Sequence, residues 1–168
     1  AESLAAQIGL IKAIKDYDLR RIISFHNRVK RAEIFSDDIK EVVDWVGGEH
    51  KPSGKIWTDF VSGSMSTGKR RQKLSHLKSI AEDERGVLTN ARCLSEGIDV
   101  PSLDGVAFID PKNSQVDIIQ AVGRAIRLSG QKKFGTIILP VFIEPGDNPA
   151  ASIEASNFKP IWGVLNAL

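Results

Sequence analysis

The chain has one cysteine, Cys93, in 168 residues, which excludes an internal disulfide and a cysteine-based zinc site. Its three histidines, His26, His50 and His76, stand apart without ligand spacing, so no structural metal is expected. No apolar run approaches the roughly twenty residues that span a bilayer, and no signal peptide is visible. The expectation is therefore a reducing, cytoplasmic setting with no membrane partner. An excess of one charge is also missing. With 23 Lys and Arg against 21 Asp and Glu, the net charge is +2, so any nucleic-acid function must rest on local patches. Repeats and low-complexity tracts are absent too. What is present, 42% hydrophobic residues, suffices for one sizeable core, and one domain over residues 1–168 is expected.

Apolar spacing switches between the helical and the strand period along the chain. Leu4, Ile8, Ile11 and Ile14 predict a helix over residues 2–15. Val29, Ala32, Phe35, Ile39, Val42, Val43 and Val46 predict another over 29–46, ended by Gly47-Gly48. A third is expected over 69–81, with Leu74, Leu77 and Ala81 facing in. Short apolar runs at 22–25, 56–61, 85–89, 106–110 and 136–143 read as strands. Pro145 to Pro149 is a breaker, and 153–168 is expected to begin as loop and finish as helix. Strands alternating with helices imply a parallel sheet covered on both faces. Its core is expected over 18–145, with 146–168 an extension leading towards an absent segment. Phe158, Ile161, Trp162, Val164 and Leu165 either close this core or pack on a following domain.

The sharpest chemical pattern is Gln120-Ala121-Val122-Gly123-Arg124-Ala125-Ile126-Arg127. Positions four and seven apart share a helix face, so Gln120, Arg124 and Arg127 form one polar stripe. Ile118, Ile119, Val122 and Ile126 fall on or near the opposite side. Gly123 flanks the stripe, at a helical position where glycine costs about 1 kcal/mol relative to alanine. Two guanidiniums and a carboxamide beside a missing side chain suit close approach to an anion, since arginine's planar fork matches phosphate oxygens. The plainer alternative is a solvated basic face with a stray glycine.

Upstream, Thr89-Asn90-Ala91-Arg92-Cys93-Leu94-Ser95-Glu96-Gly97-Ile98-Asp99-Val100-Pro101 follows Gly86-Val87-Leu88, which reads as a buried strand end. A polar, glycine-bearing segment past the carboxyl end of a strand is where open α/β sheets bind ligands. In this order the two segments resemble motifs V and VI of the superfamily 2 helicases, the second through QxxGRxxR at Gln120, Gly123, Arg124 and Arg127. The resemblance runs from about Arg20 to Ile143. It implies an α/β fold, a three-layer RecA-like domain of the P-loop NTPase type with a mainly parallel central sheet. The wording Leu94 to Pro101 is closer to helicase subunits of restriction systems and predicted bacterial DNA helicases than to DEAD-box RNA helicases, which favours double-stranded DNA as the substrate over RNA.

Within that resemblance the chain is the C-terminal, second RecA-like domain of a helicase or translocase. The first domain, with its P-loop and acidic magnesium-binding motif, is absent, so ATP with Mg2+ would be bound mainly there and this chain alone should be inactive. Arg127 is the implied arginine finger, Arg124 its partner, and Gln120 positions the nucleotide beside Gly123. Gly97 and Asp99 would line the ATP side of the cleft, although Asp99 also suits a turn cap before Val100-Pro101. Thr89, Asn90 and Arg92 would face the nucleic-acid backbone or link the two sites. Ser24 to Ala32 resembles motif IV, which puts His26, Asn27 and Arg28 on the nucleic-acid side. Asn27 is also a plausible helix N-cap. Arg20, Arg21, Arg28, Lys30 and Arg31 make a local basic patch, part of it ordinary surface.

Ser62 to Arg70 nearly spells a phosphate-binding loop, because Gly63, Gly68 and Lys69 have the GxxxxGK spacing. The next position must be Ser or Thr to ligate magnesium, and here it is Arg70. The resemblance gives this turn another use, with Ser62 and Gly63 facing the phosphates of nucleic acid. Lys69, Arg70, Arg71 and Lys73 then add attraction, or form a solvated basic helix start. Two other classes stay open: a non-catalytic RecA-like adaptor for nucleic acid or protein, and a self-sufficient NTPase using Gly63 to Arg70.

Overall fold

A computed structural model describes residues 2–91, 93, 102–126 and 134–168, with 124–126 described by backbone alone. Five strands, β1 (Arg21–His26), β2 (Lys55–Ser62), β3 (Glu84–Ala91), β4 (Gly105–Phe108) and β5 (Thr136–Ile138), form one sheet in the order β2-β3-β1-β4-β5. Every pairing is parallel. Six helices accompany it: α1 (Glu2–Asp16), α2 (Val29–Val46), α3 (Thr67–Lys78), α4 (Gln115–Ile126), α5 (Pro149–Glu154) and α6 (Lys159–Ala167).

Side chains alternate across a strand, so each strand feeds two cores. Ile22, Val87 and Ala107 pack with Leu10, Ile11 and Ile14 of α1 and Phe35, Ile39 and Val43 of α2. On the other face Ile23, Leu88, Val106 and Phe108 meet Leu74 and Leu77 of α3, Ile118 and Val122 of α4, and Phe158, Ile161 and Val164 of α6. The result is the expected three-layer, RecA-like α/β arrangement.

The buried stripe of α2 agrees with its sequence period, while that of α1 is rotated. Leu4 is 44% exposed, and Ala6, Gln7 and Leu10 are buried in its place. Helix α3 starts at Thr67, earlier than expected, because the Ser66 side chain accepts a hydrogen bond from the Lys69 amide. It stops at Lys78, and Ile80 rather than Ala81 enters the core. Strand β5 is shorter than its apolar run, pairing only through Thr136–Ile138 before Pro140, which has no N–H for a ladder. The breaker region holds α5, capped by Asn148, whose side chain accepts from the Ala150 and Ala151 amides. Of the two readings of the C-terminal segment, the structure takes the first: Phe158, Ile161 and Val164 are buried against the sheet and α4.

The basic patch around β1 is split by the strand itself, which places six residues, about 20 Å, between its ends. At the lower end Arg20 Nη2 donates to the Ala81 carbonyl (2.7 Å), and Arg21 donates to the Leu77 and Lys78 carbonyls (3.1 and 3.0 Å). These arginines serve the open end of α3. Nearby, the buried Arg85 guanidinium donates to the Leu19 and Ser53 carbonyls, the Asp18 carboxylate and the Ser53 hydroxyl. Gly54, at φ +84°, completes this end, where a Cβ would strike the Asp83 carbonyl oxygen.

Candidate functional site

Because the strands are parallel, His26, Ser62, Ala91 and Phe108 end at one edge of the sheet. Chains leaving β1 and β4 turn to opposite faces there, into α2 and α4, which makes a switch point of the kind where open sheets bind ligands. Asp110 braces it. One carboxylate oxygen accepts from the Asn27 amide at 2.8 Å, and the other pairs with the Arg31 guanidinium at 2.8 Å. The Asn27 side chain donates to the Pro111 carbonyl (3.2 Å). Asn27 is therefore not the helix cap; Arg28 occupies that position without a side-chain bond.

Strand alternation turns two expected contact residues inward. His26 is buried, hydrogen-bonded to Ser24 Oγ at 3.0 Å and set edge-on to Phe35 with centroids 4.9 Å apart. Burial pushes its pKa down to about 4, with Asp110 opposing and Arg31 assisting. Thr89 is also buried, and its hydroxyl donates to the Ala32 carbonyl at 2.8 Å. Neither side chain reaches the outer surface.

Asn90, one residue on, points to the opposite face. Its Oδ1 accepts from the Cys93 amide (3.3 Å) and Cys93 Sγ (3.0 Å), which folds the chain back after β3. The Arg70 guanidinium, from the first turns of α3, is near enough to the buried Cys93 side chain to act on its ionisation. Burial raises the Cys93 pKa against the pull of Arg70. The residue that spoils the phosphate-loop pattern also hydrogen-bonds the Thr67 hydroxyl one turn back. Lys73 is likewise engaged, with the Asp59 carboxylate at 2.8 Å and the Phe60 carbonyl at 2.9 Å. Lys69 and Arg71 are exposed, as is Gly63, while Ser62 is buried with its hydroxyl 2.8 Å from that of Ser64.

Helix α4 buries Ile118, Ala121 and Val122. Ile119, expected on the apolar side, is 52% exposed, because one residue's rotation of about 100° carries it out of the seam that Ala121 fills. Gly123 is exposed and a Cβ there would meet nothing within 4 Å, so the fold itself does not require glycine. Gln120 Oε1 is buried and finds no donor among the described residues. An orphaned buried acceptor suits an amino or hydroxyl donor of a ligand. Arg92, Gly97, Asp99 and Arg127 lie outside the described residues, as does the side chain of Arg124. No group of three or more His, Cys, Asp or Glu able to hold a metal occurs among the described residues. No described helix is long and apolar enough to cross a membrane.

The switch point also holds a pocket of about 420 Å³, lined by Asn27 and Asn90 together with Lys112, Asn113, Ser114 and Asp117. The sequence reading passed over the last four. A local signal was present, since Ser114 and Asp117 have capping-box spacing, and the Ser114 hydroxyl accepts from the Asp117 amide at 3.3 Å.

Comparison with known proteins agrees with this arrangement. The chain aligns over 99% of its length with 12% of a DNA-bound ATP-dependent Type ISP restriction-modification enzyme, LlaBIII, at 31% identity and a TM-score of 0.81. A putative ATP-dependent RNA helicase, MJ1505, of Methanocaldococcus jannaschii is 27% identical over 125 residues, 71% of this chain and 16% of that protein. A probable helicase, A859L, of African swine fever virus is 42% identical over 55 residues, 33% of this chain. The chain covers only 6% of that viral protein. Residues 9–129 match the helicase conserved C-terminal domain. The chain belongs to that family, and is a helicase C-terminal domain of the superfamily 2 type.

Proposed function

We propose that residues 1–168 form the second motor domain of a nucleic-acid helicase or translocase, completing an ATP site in trans to a first RecA-like domain. The observation that carries this reading is α4, anchored by Ile118 and Val122, which carries the unpaired Gln120 acceptor and the open Gly123. ATP, bound with Mg2+ mainly by the first domain, supplies the free energy for movement when it is hydrolysed. Gln120 accepts a hydrogen bond from the nucleotide, and Gly123 lets the helix backbone approach it. Gly97 and Asp99 line the same side. Arg127, with Arg124 beside it, places positive charge against the phosphates. An arginine in that role accelerates hydrolysis by about 10³- to 10⁵-fold.

Nucleic acid crosses the carboxyl edge of the sheet, where Arg28, Asn27, Gly63 and Arg92 contact its backbone and the buried Asn90 shapes the turn after β3. Ser62 supports that turn from beneath, and His26 and Thr89 support the edge from within. DNA is favoured over RNA because the likeness to the DNA-bound restriction enzyme extends over nearly the whole chain at 31% identity. A cytoplasmic setting suits a protein whose single cysteine stays a free, buried thiol.

The test is DNA-stimulated ATP hydrolysis by the full-length protein with and without Arg127→Ala. Loss of turnover by about 10³-fold or more with DNA binding retained supports the reading. Unchanged turnover, or no hydrolysis at all, overturns it in favour of a non-catalytic adaptor.

A further inference from the structure

Among the described residues the sheet ends in two outer strands, β2 and β5, and the two differ in how much open backbone they present. Strand β5 pairs through three residues and meets Pro140 two positions on, so it offers little to another chain. Strand β2 is eight residues long, ample length for an unpaired edge to template a second strand.

Successive residues of a strand aim their N–H and C=O groups to alternate sides. The Lys55 amide donates inward, to the Asp83 carbonyl at 2.7 Å. Trp57, Asp59 and Val61 follow it towards β3, which leaves Ile56, Thr58, Phe60 and Ser62 facing the open edge. Phe60 is closed there twice. Its N–H donates to the Asp59 carboxylate at 2.8 Å, and its carbonyl accepts from Lys73 Nζ at 2.9 Å. The same ammonium pairs with the Asp59 carboxylate at 2.8 Å and lies 4.7 Å from the Phe60 ring centroid. Thr58 bonds Ser36 of α2 while Trp57 packs towards α3, so Asp59 and Phe60 stand on opposite faces of the sheet. Lys73 reaches both from α3, which lays its ammonium across the edge itself. At Ser62 the carbonyl is taken by the Met65 amide (3.1 Å). Ile56 to Thr58 is the stretch left open, against a usual strand of about five to six residues.

We propose that Asp59, Phe60 and Lys73 form a clasp that closes the β2 edge against pairing with the same edge of a second copy of this chain. Lys73 then serves the sheet edge rather than a basic helix start that attracts phosphate. The inference stands apart from the nucleic-acid reading, because every group in it is bonded within β2 and α3.

The test is self-association of the chain, followed by sedimentation velocity over a wide concentration series. Asp59→Ala combined with Lys73→Met frees both Phe60 groups and removes the charges from the edge. That variant should associate reversibly, about 10- to 100-fold more tightly than the wild-type chain, the worth of two hydrogen bonds. Adding Thr58→Pro should abolish the gain, because the N–H it removes faces the open edge and makes no bond within the sheet. Association that survives Thr58→Pro comes from another surface and overturns the inference. So does a double variant that associates no more than the wild-type chain. Amide exchange in the wild-type chain checks the clasp without any substitution. The Phe60 N–H should exchange about 10-fold or more slowly than those of Ile56 and Thr58 on the same edge. Equal rates at the three positions overturn the clasp whether or not the variants fold.

Discussion

Replacing His26 with phenylalanine should change how stability depends on pH rather than simply lower it. In the folded chain the imidazole is held neutral, its pKa pushed down from 6.5 to about 4, chiefly by burial. In the unfolded chain it titrates near 6.5. As pH falls through 6.5 the unfolded state takes up the proton first, so folding stability drops, and the loss levels off below about 4, where both states are protonated. The stabilisation is therefore complete above 6.5. The linkage relation gives a loss of about 2 kcal/mol between pH 7 and pH 5, approaching about 3 kcal/mol near pH 4.

His26→Phe keeps a ring against Phe35 and leaves the Ser24 hydroxyl without its partner, a cost of about 1 kcal/mol that does not vary with pH. Carboxylates also titrate in the lower part of this range, so the informative quantity is the difference between the two proteins. In urea titrations at pH 7 and pH 5, the wild-type midpoint should fall by about 1 M more than the variant's, for a slope near 2 kcal/mol per M. Parallel losses in the two proteins would refute the reasoning, and would mean that His26 is hydrated or ion-paired in solution.

Two further substitutions separate structural from functional roles. Arg85→Met removes the donors of the Leu19 and Ser53 carbonyls and should cost about 3 kcal/mol in urea denaturation. Asp18→Asn, at a side chain 82% exposed, should cost less than about 1 kcal/mol, and equal losses would show that the ion pair rather than the carbonyl bonds matters. Gly123→Ala should stabilise the chain by up to about 1 kcal/mol, because the site is helical and a Cβ meets nothing within 4 Å. The same change should reduce ATP turnover in the full-length protein. A variant that is both more stable and fully active would show that no partner approaches the helix there.

The layers of the fold were legible in the sequence because hydrophobic period is a local property. The stripe Ala32, Phe35, Ile39, Val42 and Val43 fixes both the type of α2 and its buried face, and Ile22, Ile23, Val87, Leu88, Val106 and Phe108 read as strands buried on both sides. The helical type of α4 and its buried Ile118 and Val122 could be read in the same way. Where the reading went astray, the missing information was non-local. Arg20 and Arg28 are near in sequence, yet an intervening strand sends them to opposite ends of the sheet. His26 and Asn27 are consecutive, but alternation buries the first and leaves the backbone of the second in the hands of Asp110, 83 residues away. Period and composition thus determined which segments are strands and helices and which residues are chemically suited to phosphate. The order β2-β3-β1-β4-β5 decided which of them meet, because parallel pairing brings Asn27, Asn90 and Asn113 from separate strand ends to one edge, and no spacing along the chain encodes that meeting.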